Sequence, residues 1–245
     1  MKVAVIGAPG RMGSATCRAV EADPDLQLVA RIGRADDVGA VAGSGADVAV
    51  EFTNAASVKQ NVRACVAQGV HVVVGATGLS QDDLREIRGS AEESGANVFV
   101  APNFAIGAVL MMRFAAASAP HFDSAEIVER HHQNKLDSPS GTALRTADLM
   151  NEARSAPWRQ PREERETLPG SRGGNVDGVR VHSLRIPGSV AHQEVVLGRA
   201  GETLTIRHDS LDLSSFMPGV VLAIKNVASL GPLTVGLEHL LDLGS

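Results

Sequence analysis

Two histidines, a lysine and a Pro-Ser-Gly-Thr turn lie within fifteen residues, in the segment ERHHQNKLDSPSGTA of residues 129–143. His131 and His132 end an alternating, strand-like run, so their side chains should lie on opposite faces and do different work. Lys135 follows, and the turn then opens a helical stretch, ALRTADLM. An ammonium beside a helix N-terminus suits a carboxylate, and a histidine there can transfer a proton near neutral pH. The segment therefore predicts a site that binds and protonates an anionic small molecule.

The helix start would supply the anion-binding groups of this site. Ser138 or Ser140 is the predicted N-cap, and Gly141 and Thr142 would present backbone N–H groups outward. Two other interpretations stay open: a metal bound by the paired histidines, and a purely structural pair with Lys135 as a solvated charge. No carboxylate or cysteine lies at helpful spacing for a metal, so none is predicted.

A second candidate site lies at the N-terminus, where the strand VAVIG runs into GAPGRMG and then a helix. Glycines in such a turn let the backbone approach a pyrophosphate, and the helix N-terminus supplies N–H groups and a positive dipole end. The spacing is G-x-x-G-x-x-G, not the general G-x-G-x-x-G. Its place at the first strand-to-helix turn predicts a dinucleotide site. The alternative is a tight turn without a ligand.

The end of the second strand bears on the choice of nucleotide. It reads ARIGR, with no carboxylate before Asp36, whereas Arg11, Arg31 and Arg34 are all near. An acidic residue here would bind the ribose 2′-hydroxyl of NAD, and an arginine would accommodate a 2′-phosphate. We predict NADPH over NADH, and NADH stays open as an alternative donor. Solvated surface charges are the alternative for Arg31 and Arg34.

The elements that position these residues follow a βαβ rhythm over residues 2–100, where short β-branched runs alternate with helical patterns. This rhythm predicts a Rossmann-like, doubly wound parallel sheet. Ligands in such sheets bind beyond the carboxyl ends of the strands, so the segments FTN, GATG and APNF should face the same crevice. The helices are predicted at Arg11–Ala22, Ser57–Gln68 and Gln81–Ser94, with an irregular crossover at Gly33–Asp47.

After Pro102 the rhythm changes to that of a second, α+β domain. The strand candidates VRVHSLRI, AHQEVVLG and ETLTIRHD imply an open mixed sheet with one face covered. The segment Ser155–Gly178 carries almost no apolar residues and is expected to be a long exposed loop. The other predicted elements are a helix at Ile106–Ala117, a strand at Ala125–His131, a helix from Gly141, and a final helix at Phe216–Ala228 that returns to the first domain.

Composition excludes several classes of protein. A formal net charge of −5, no tyrosine and one tryptophan argue against a nucleic-acid partner. No apolar run approaches the roughly 20 residues that span a bilayer, and MKVAVIG does not resemble a signal peptide, so a cytoplasmic protein without membrane contact is expected. Cys17 and Cys65 lack the spacing of a zinc site or disulfide framework and should be buried thiols.

Taken together, the motifs resemble the 4-hydroxy-tetrahydrodipicolinate reductase (dihydrodipicolinate reductase) family of bacterial lysine and diaminopimelate biosynthesis. The resemblance covers essentially the whole chain, and it is carried by GAPGRMG, VEFTN, GATG, APNFAIG, E-x-HH-x-x-K-x-D-x-PSGTA and GETLTIRHDSLDLSSFMPGV. It implies a nucleotide domain of residues 1–105 and 216–245. Residues 106–215 would form a substrate-binding and oligomerisation domain whose sheet assembles a homotetramer. The implied reaction transfers hydride from NAD(P)H to a cyclic dicarboxylate, with loss of water.

The resemblance also implies residue roles. His131 would be the general acid, Lys135 a second donor that orients and protonates the substrate, and His132 a substrate contact. Gly141 and Thr142 would bind a substrate carboxylate. The implied cofactor contacts, together with Arg34 from the argument above, are Gly7, Gly10, Arg11, Met12, Gly13, Phe52, Gly75, Thr77, Pro102, Asn103 and Phe104.

The chain departs from the family pattern at four positions. Glu51 replaces an aspartate, Ala76 a threonine, Gly33 an acidic residue and Asn134 a histidine. The hydroxyl lost at Ala76 is worth about 1 kcal/mol net, which tunes cofactor binding without abolishing it. Two rival hypotheses remain: another NAD(P)-dependent reductase of a small dicarboxylate, and a non-catalytic protein that binds NADPH without turnover.

Overall fold

The computed structural model describes residues 1–160, 163 and 165–242. The chain divides into two compact units, one made of Met1–Ile106 with the chain from Leu213 onward, the other of Gly107–Asp212. Across the described residues, no helix combines the length and apolar character needed to cross a bilayer.

The first unit is built on a parallel sheet, as the βαβ rhythm predicts. Its strands are β1 (Lys2–Ile6), β2 (Gln27–Ile32), β3 (Val48–Glu51), β4 (His71–Val74) and β5 (Val98–Val100). A further strand, Leu233–Val235, pairs in parallel with β5 and closes one edge of the sheet. The central strands are buried on both faces, which is why they read as unbroken β-branched runs.

The helices of the first unit are α1 (Arg11–Ala22), α2 (Ala40–Gly43), α3 (Val58–Val66) and α4 (Gln81–Ser94). α1 and α4 have the predicted bounds. α4 is sharply delimited because Ser80 and Asp83 form a reciprocal capping box and Gly95 ends it at φ 74°. α3 is shorter than predicted, because the chain leaves the helix and turns through Gly69 at φ 72°. α2 is a short helix within the predicted irregular crossover.

The second unit contains α5 (Ile106–Ser118) apart from its first residue, β6 (Ser124–His131) and α6 (Gly141–Glu152). These are followed by β7 (Gly174–Val176), β8 (Val179–Arg185), β9 (Ala191–Arg199) and β10 (Glu202–Ser210). The sheet order is β10-β9-β6-β8-β7, with β6 parallel to β8 and antiparallel to β9. α5 and α6 cover one face through a core that includes Met111, Ile127 and Met150. The predicted mixed sheet is confirmed.

One expectation about the chain between the main elements is wrong. The segment Ser155–Gly178 is not simply an exposed loop, because Trp158 is buried and β7 joins the sheet edge. The Trp158 indole donates to Asn151 at 2.6 Å, and the Arg154 guanidinium lies 3.8 Å from its ring centroid. Residues 161, 162 and 164 of that segment lie outside the described residues. The last helix, α7 (Met217–Asn226), is shorter than predicted and continues as a 3₁₀ turn, Val227–Ser229.

Candidate active site

The helix at the predicted anion site begins where the sequence indicates. Ser140 is the N-cap of α6, and its hydroxyl accepts from the Ala143 N–H at 3.2 Å. Of the two serines considered, Ser140 therefore caps the helix and Ser138 does not. Gly141 and Thr142 are the first residues of α6, so their N–H groups belong to the helix end that lacks intrahelical acceptors.

His131 is the last residue of β6 and shares its inward face with the core residues Ala125 and Ile127. Its Nδ1 lies 2.6 Å from Glu129 Oε2. Burial lowers the pKa of His131, and the charges of Lys135 and Arg185 act in the same direction, whereas Glu129 opposes them. His132 follows the strand and is half-buried.

Glu129 is the centre of this site, and sequence reasoning assigned it no role. Its side chain is fully buried, and Arg185 pairs with both of its oxygens at 2.8 and 2.9 Å. Oε1 also accepts from the Ser140 N–H at 3.2 Å. Burial raises the pKa of Glu129, but hydrogen bonds from Arg185, Ser183 and His131 outweigh it and leave the pKa below its usual value. A charged residue on the apolar face of β6 was the signal that could have identified it.

Lys135 forms an ion pair with Asp137. Its Nζ donates to both Asp137 oxygens at 2.7 and 2.8 Å, and this pair lowers the pKa of Asp137. Lys135 lies close enough to His131 to depress the pKa of the imidazole. An incoming carboxylate would therefore share or replace Asp137 as the partner of this ammonium.

No metal centre is visible in the parts of the chain that the structure describes, since no group of three or more His, Cys, Asp or Glu side chains could hold an ion there.

The glycine turn after β1 has the geometry that a dinucleotide requires. Gly7 has φ 83°, and a Cβ there would lie 2.5 Å from the Phe52 carbonyl oxygen. A Cβ at Gly13 would lie 2.1 Å from the Gly7 carbonyl oxygen, so neither position accepts a side chain. Gly10 is the N-cap of α1 and offers no capping side chain of its own. The turn therefore keeps the N-terminus of α1 open to an anion.

A cleft of about 780 Å³ lies against this turn, within the range of 300–1,000 Å³ that is common for ligand sites. Gly7, Gly10, Arg34 and Phe52 line it. Arg11, Met12 and Gly13 form the first turn of α1. The cleft and the first turn of α1 thus fit a bound nicotinamide dinucleotide.

The other predicted cofactor contacts lie after β4 and β5, and the described lining of this cleft does not include them. Gly75 packs against the Phe52 ring, because a Cβ there would be 2.1 Å from Phe52 Cε1. Phe104 is buried and packs edge-on to Phe52, with 5.9 Å between ring centroids. Asn103 Oδ1 accepts from the Ala105 N–H at 2.8 Å. Thr77 and Pro102 are exposed.

The three charged residues at and after the end of β2 differ in their surroundings. Arg34 lines the cleft, whereas Arg31 pairs with Glu21. Asp36 also lines the cleft, and its Oδ2 accepts from the Gly33 N–H at 2.7 Å. Asp36 therefore places a carboxylate at the end of β2, next to Gly33, which has no side chain to supply one. The spacing along the sequence did not reveal this.

Glu51, at the end of β3, is a buried carboxyl beside the same cleft. Its Oε1 accepts from the Thr53 N–H and from Asn61, each at 3.1 Å, while Oε2 has no partner among the described residues. Burial raises the pKa of Glu51, and the hydrogen bonds from Thr53 and Asn61 counteract that effect only in part.

Comparison with known proteins covers nearly the whole chain. Residues 1–104 match the family model described as "Dihydrodipicolinate reductase, N-terminus", and residues 107–241 match its C-terminal counterpart. A 4-hydroxy-tetrahydrodipicolinate reductase of Thermobifida fusca is 55% identical over 99% of this chain and 100% of its own length. One of Streptomyces avermitilis is 54% identical over 99% of this chain and 98% of its own.

A solved structure extends the similarity to three dimensions. The dipicolinate-bound dihydrodipicolinate reductase from Paenisporosarcina sp. TG-14 aligns with a TM-score of 0.90 at 35% identity, covering 98% of this chain and 99% of that one.

Proposed function

The chain belongs to the dihydrodipicolinate reductase family, and on that premise we propose that it reduces 4-hydroxy-tetrahydrodipicolinate to tetrahydrodipicolinate with NAD(P)H. It is thus an oxidoreductase of the lysine and diaminopimelate route. Water leaves the ring, and the conjugated dicarboxylate then gains one hydride and one proton. When bound, the reduced nicotinamide supplies the hydride.

One observation carries the assignment of the substrate site: Glu129 contacts both His131 and Ser140, the N-cap residue of α6. Glu129 therefore holds the proton donor, His131, next to the anion-binding N-terminus of α6. His131 donates this one proton to the reduced ring, and Lys135 orients the dianion and is the second donor through which the ring can be protonated. The N–H groups of Gly141 and Thr142 bind one carboxylate, and His132 contacts the substrate.

The cofactor is held by the glycine turn and the cleft beside it. The N-terminal turn of α1, from Gly10 to Gly13, receives the pyrophosphate. Arg34 pairs with the 2′-phosphate of NADPH, which makes NADPH the preferred donor. In NADH a ribose 2′-hydroxyl replaces that phosphate, and Asp36 can accept a hydrogen bond from it, so NADH serves as a second donor. Phe52, Gly75, Thr77 and the segment Pro102–Phe104 shape the nicotinamide end.

The second unit also supports the proposed homotetramer. Alternation along β6, β8 and β9 places Val128, Leu184 and Val196 on the face of the sheet opposite α6, and Leu184 is 39% exposed. Contact between such faces of separate chains would bury these side chains. Light scattering coupled to size exclusion should give four times the chain mass.

The direct test is NADPH oxidation with substrate made freshly from pyruvate and aspartate semialdehyde by the enzyme of the preceding step. We expect absorbance at the NADPH band to fall only when the dicarboxylate is present. His131→Ala should lower turnover by about 100-fold or more, as is common for a lost general acid. NADPH binding without turnover would identify the non-catalytic rival, and turnover only with other keto or amino dicarboxylates would identify the other reductase.

A further inference from the structure

The carboxylate of Glu129 has no part in the roles assigned above, yet all of its hydrogen-bonding capacity is used within the site. Oε2 contacts His131 Nδ1 and one Arg185 nitrogen, and Oε1 contacts the other Arg185 nitrogen and the Ser140 N–H. Burying a carboxylate on the apolar face of a strand is costly unless every lone pair is satisfied. The desolvation cost of Glu129 at the end of β6 indicates that its carboxylate has a role beyond packing.

The protonation of Glu129 decides that of His131. Hydrogen bonds from Arg185, Ser183 and His131 hold the pKa of Glu129 below its usual value, so the side chain is ionised near neutral pH. An ionised carboxylate can only accept hydrogen bonds. At 2.6 Å from Oε2, Nδ1 of His131 must therefore carry a proton, and Nε2 is the nitrogen that gains and loses the second one.

We propose that Glu129 is the positioning residue of the reduction: it fixes the Nδ1 proton of His131, aims Nε2 as the donor, and fastens the imidazole to the start of α6. The proposal deepens the function proposed above and rests on it. The proton leaves Nε2 for the substrate, the imidazole becomes neutral with Nδ1–H retained, and solvent restores the Nε2 proton. Glu129 remains a carboxylate throughout.

A second histidine in the same sheet provides an internal reference. Glu126, three residues before Glu129 on β6, contacts Nε2 of His182 at 2.8 Å. Hydrogen bonds from Arg172 and His182 lower the pKa of Glu126 against the opposing effect of burial. Neutral His182 should therefore carry its proton on Nε2, the reverse of His131.

The first measurement is histidine side-chain ¹⁵N NMR of the full-length protein without substrate, with His131 and His182 assigned from His131→Asn and His182→Asn. Neutral His131 is expected with a protonated Nδ1 and neutral His182 with a protonated Nε2. In Glu129→Gln, His131 should become a tautomer mixture while His182 is unchanged. Finding the neutral His131 proton on Nε2 in the parent protein would overturn the proposal. This readout needs no turnover, so it stands apart from any failure of the proposed reaction.

The second measurement is kinetic. The charged groups facing His131 are Glu129 on β6, Arg185 on β8 and Lys135 in the following loop. Removing the one negative charge lowers the pKa of the imidazole, so the alkaline limb of the kcat/KM profile should move to lower pH in Glu129→Gln. We expect kcat to fall about 10-fold or more, as happens when a carboxylate no longer orients a catalytic imidazole. Glu126→Gln is the matched control and should leave kcat within about 2-fold, since Glu126 contacts His182 and Arg172 and not His131.

A double-mutant cycle separates positioning from general damage to the fold. In a His131→Ala background, Glu129→Gln should change kcat by less than about 2-fold, because the group through which it acts is gone. An equal loss in both backgrounds would contradict the proposal. Because Glu129→Gln leaves the half-buried Arg185 without its carboxylate partner, Glu129→Gln/Arg185→Gln serves as the folded alternative and should show the same tautomer change.

Discussion

The ammonium of Lys135 is positioned by an ion pair that a substrate carboxylate can replace. Its two hydrogen bonds to Asp137 keep it in place beside His131, but Asp137 is 59% exposed, so the pair is worth less than about 1 kcal/mol. A substrate carboxylate can displace so weak a partner. The motif predicted Lys135, but it could not predict that Asp137, two residues later, would occupy the ammonium.

This competition gives a prediction about Asp137. Asp137→Asn removes the rival anion, so the KM for the dicarboxylate should fall about 2- to 5-fold while kcat changes little, in line with the small energy of an exposed pair. Lys135→Ala should raise KM and lower kcat about 100-fold. Steady-state kinetics at fixed saturating NADPH measures both. A higher KM in Asp137→Asn would mean that Asp137 helps to bind the substrate.

The cofactor cleft gives a second prediction at the same scale, through a matched pair of variants. Arg34→Ala removes the guanidinium proposed for the 2′-phosphate, so the KM for NADPH should rise about 10-fold with the KM for NADH unchanged. Asp36→Asn should raise the KM for NADH and leave the KM for NADPH unchanged. Parallel titrations with the two cofactors measure the pair. Equal effects on both cofactors would refute the assignment of these two side chains.

At the scale of elements, the sequence was most informative where local rules agree. α1 and α4 begin and end as predicted because glycine and a capping box delimit them, and β8, β9 and β10 follow their alternation. The strand Leu233–Val235 has only three residues, which is too short for a periodic pattern. Trp158 was misplaced because its burial depends on Asn151 and Arg154, which no local pattern reveals.

The same limit applies to the site. The sequence indicated His131, Lys135 and the start of α6, since these lie in one contiguous segment. It assigned no role to Arg185, which lies across the register from His131 on β8 and reaches the site only through strand pairing. Contacts between strands distant in sequence are set by the tertiary fold, so spacing along the chain did not report them.

The N-cap of α6 yields a prediction for this element. Ser140→Ala removes the acceptor of the Ala143 N–H and should cost about 1 kcal/mol of unfolding free energy. The KM for the dicarboxylate should rise as well, because the first turn of the helix loosens. Ser138→Ala is the matched control, since Ser138 does not cap the helix. Denaturant unfolding and kinetics of the two variants decide the point, and equal losses would show that the cap is not what holds the turn.

For the molecule as a whole, buried ionisable groups make stability depend on pH. Burial raises the pKa of Glu51, so the folded state binds this proton more tightly than the unfolded chain does. Ionisation of this carboxyl therefore lowers the free energy of unfolding as pH rises from its unfolded-state pKa of about 4.3 to its raised folded-state pKa. Above the folded-state pKa the destabilisation is complete. The Cys65 thiol behaves similarly, since burial raises its pKa to about 12.

Glu51→Gln tests this sign. The variant has no proton to lose, so the difference in Tm, variant minus parent, should become more positive as pH increases from about 4 through the raised folded pKa of Glu51. Thermal unfolding at several pH values measures it, and taking the difference cancels the groups that the two proteins share. A difference that is flat or decreases with pH would mean that folding does not raise the pKa of Glu51.

The central claim is that a cyclic dianion is bound by the start of α6 beside Lys135 and His131. A crystal structure of the protein with NADPH and dipicolinate tests it most directly. We predict one carboxylate of the ligand on the N–H groups of Gly141 and Thr142, with Lys135 and His131 in contact with the ligand. A ligand whose carboxylates lie away from the first turn of α6 would contradict the account.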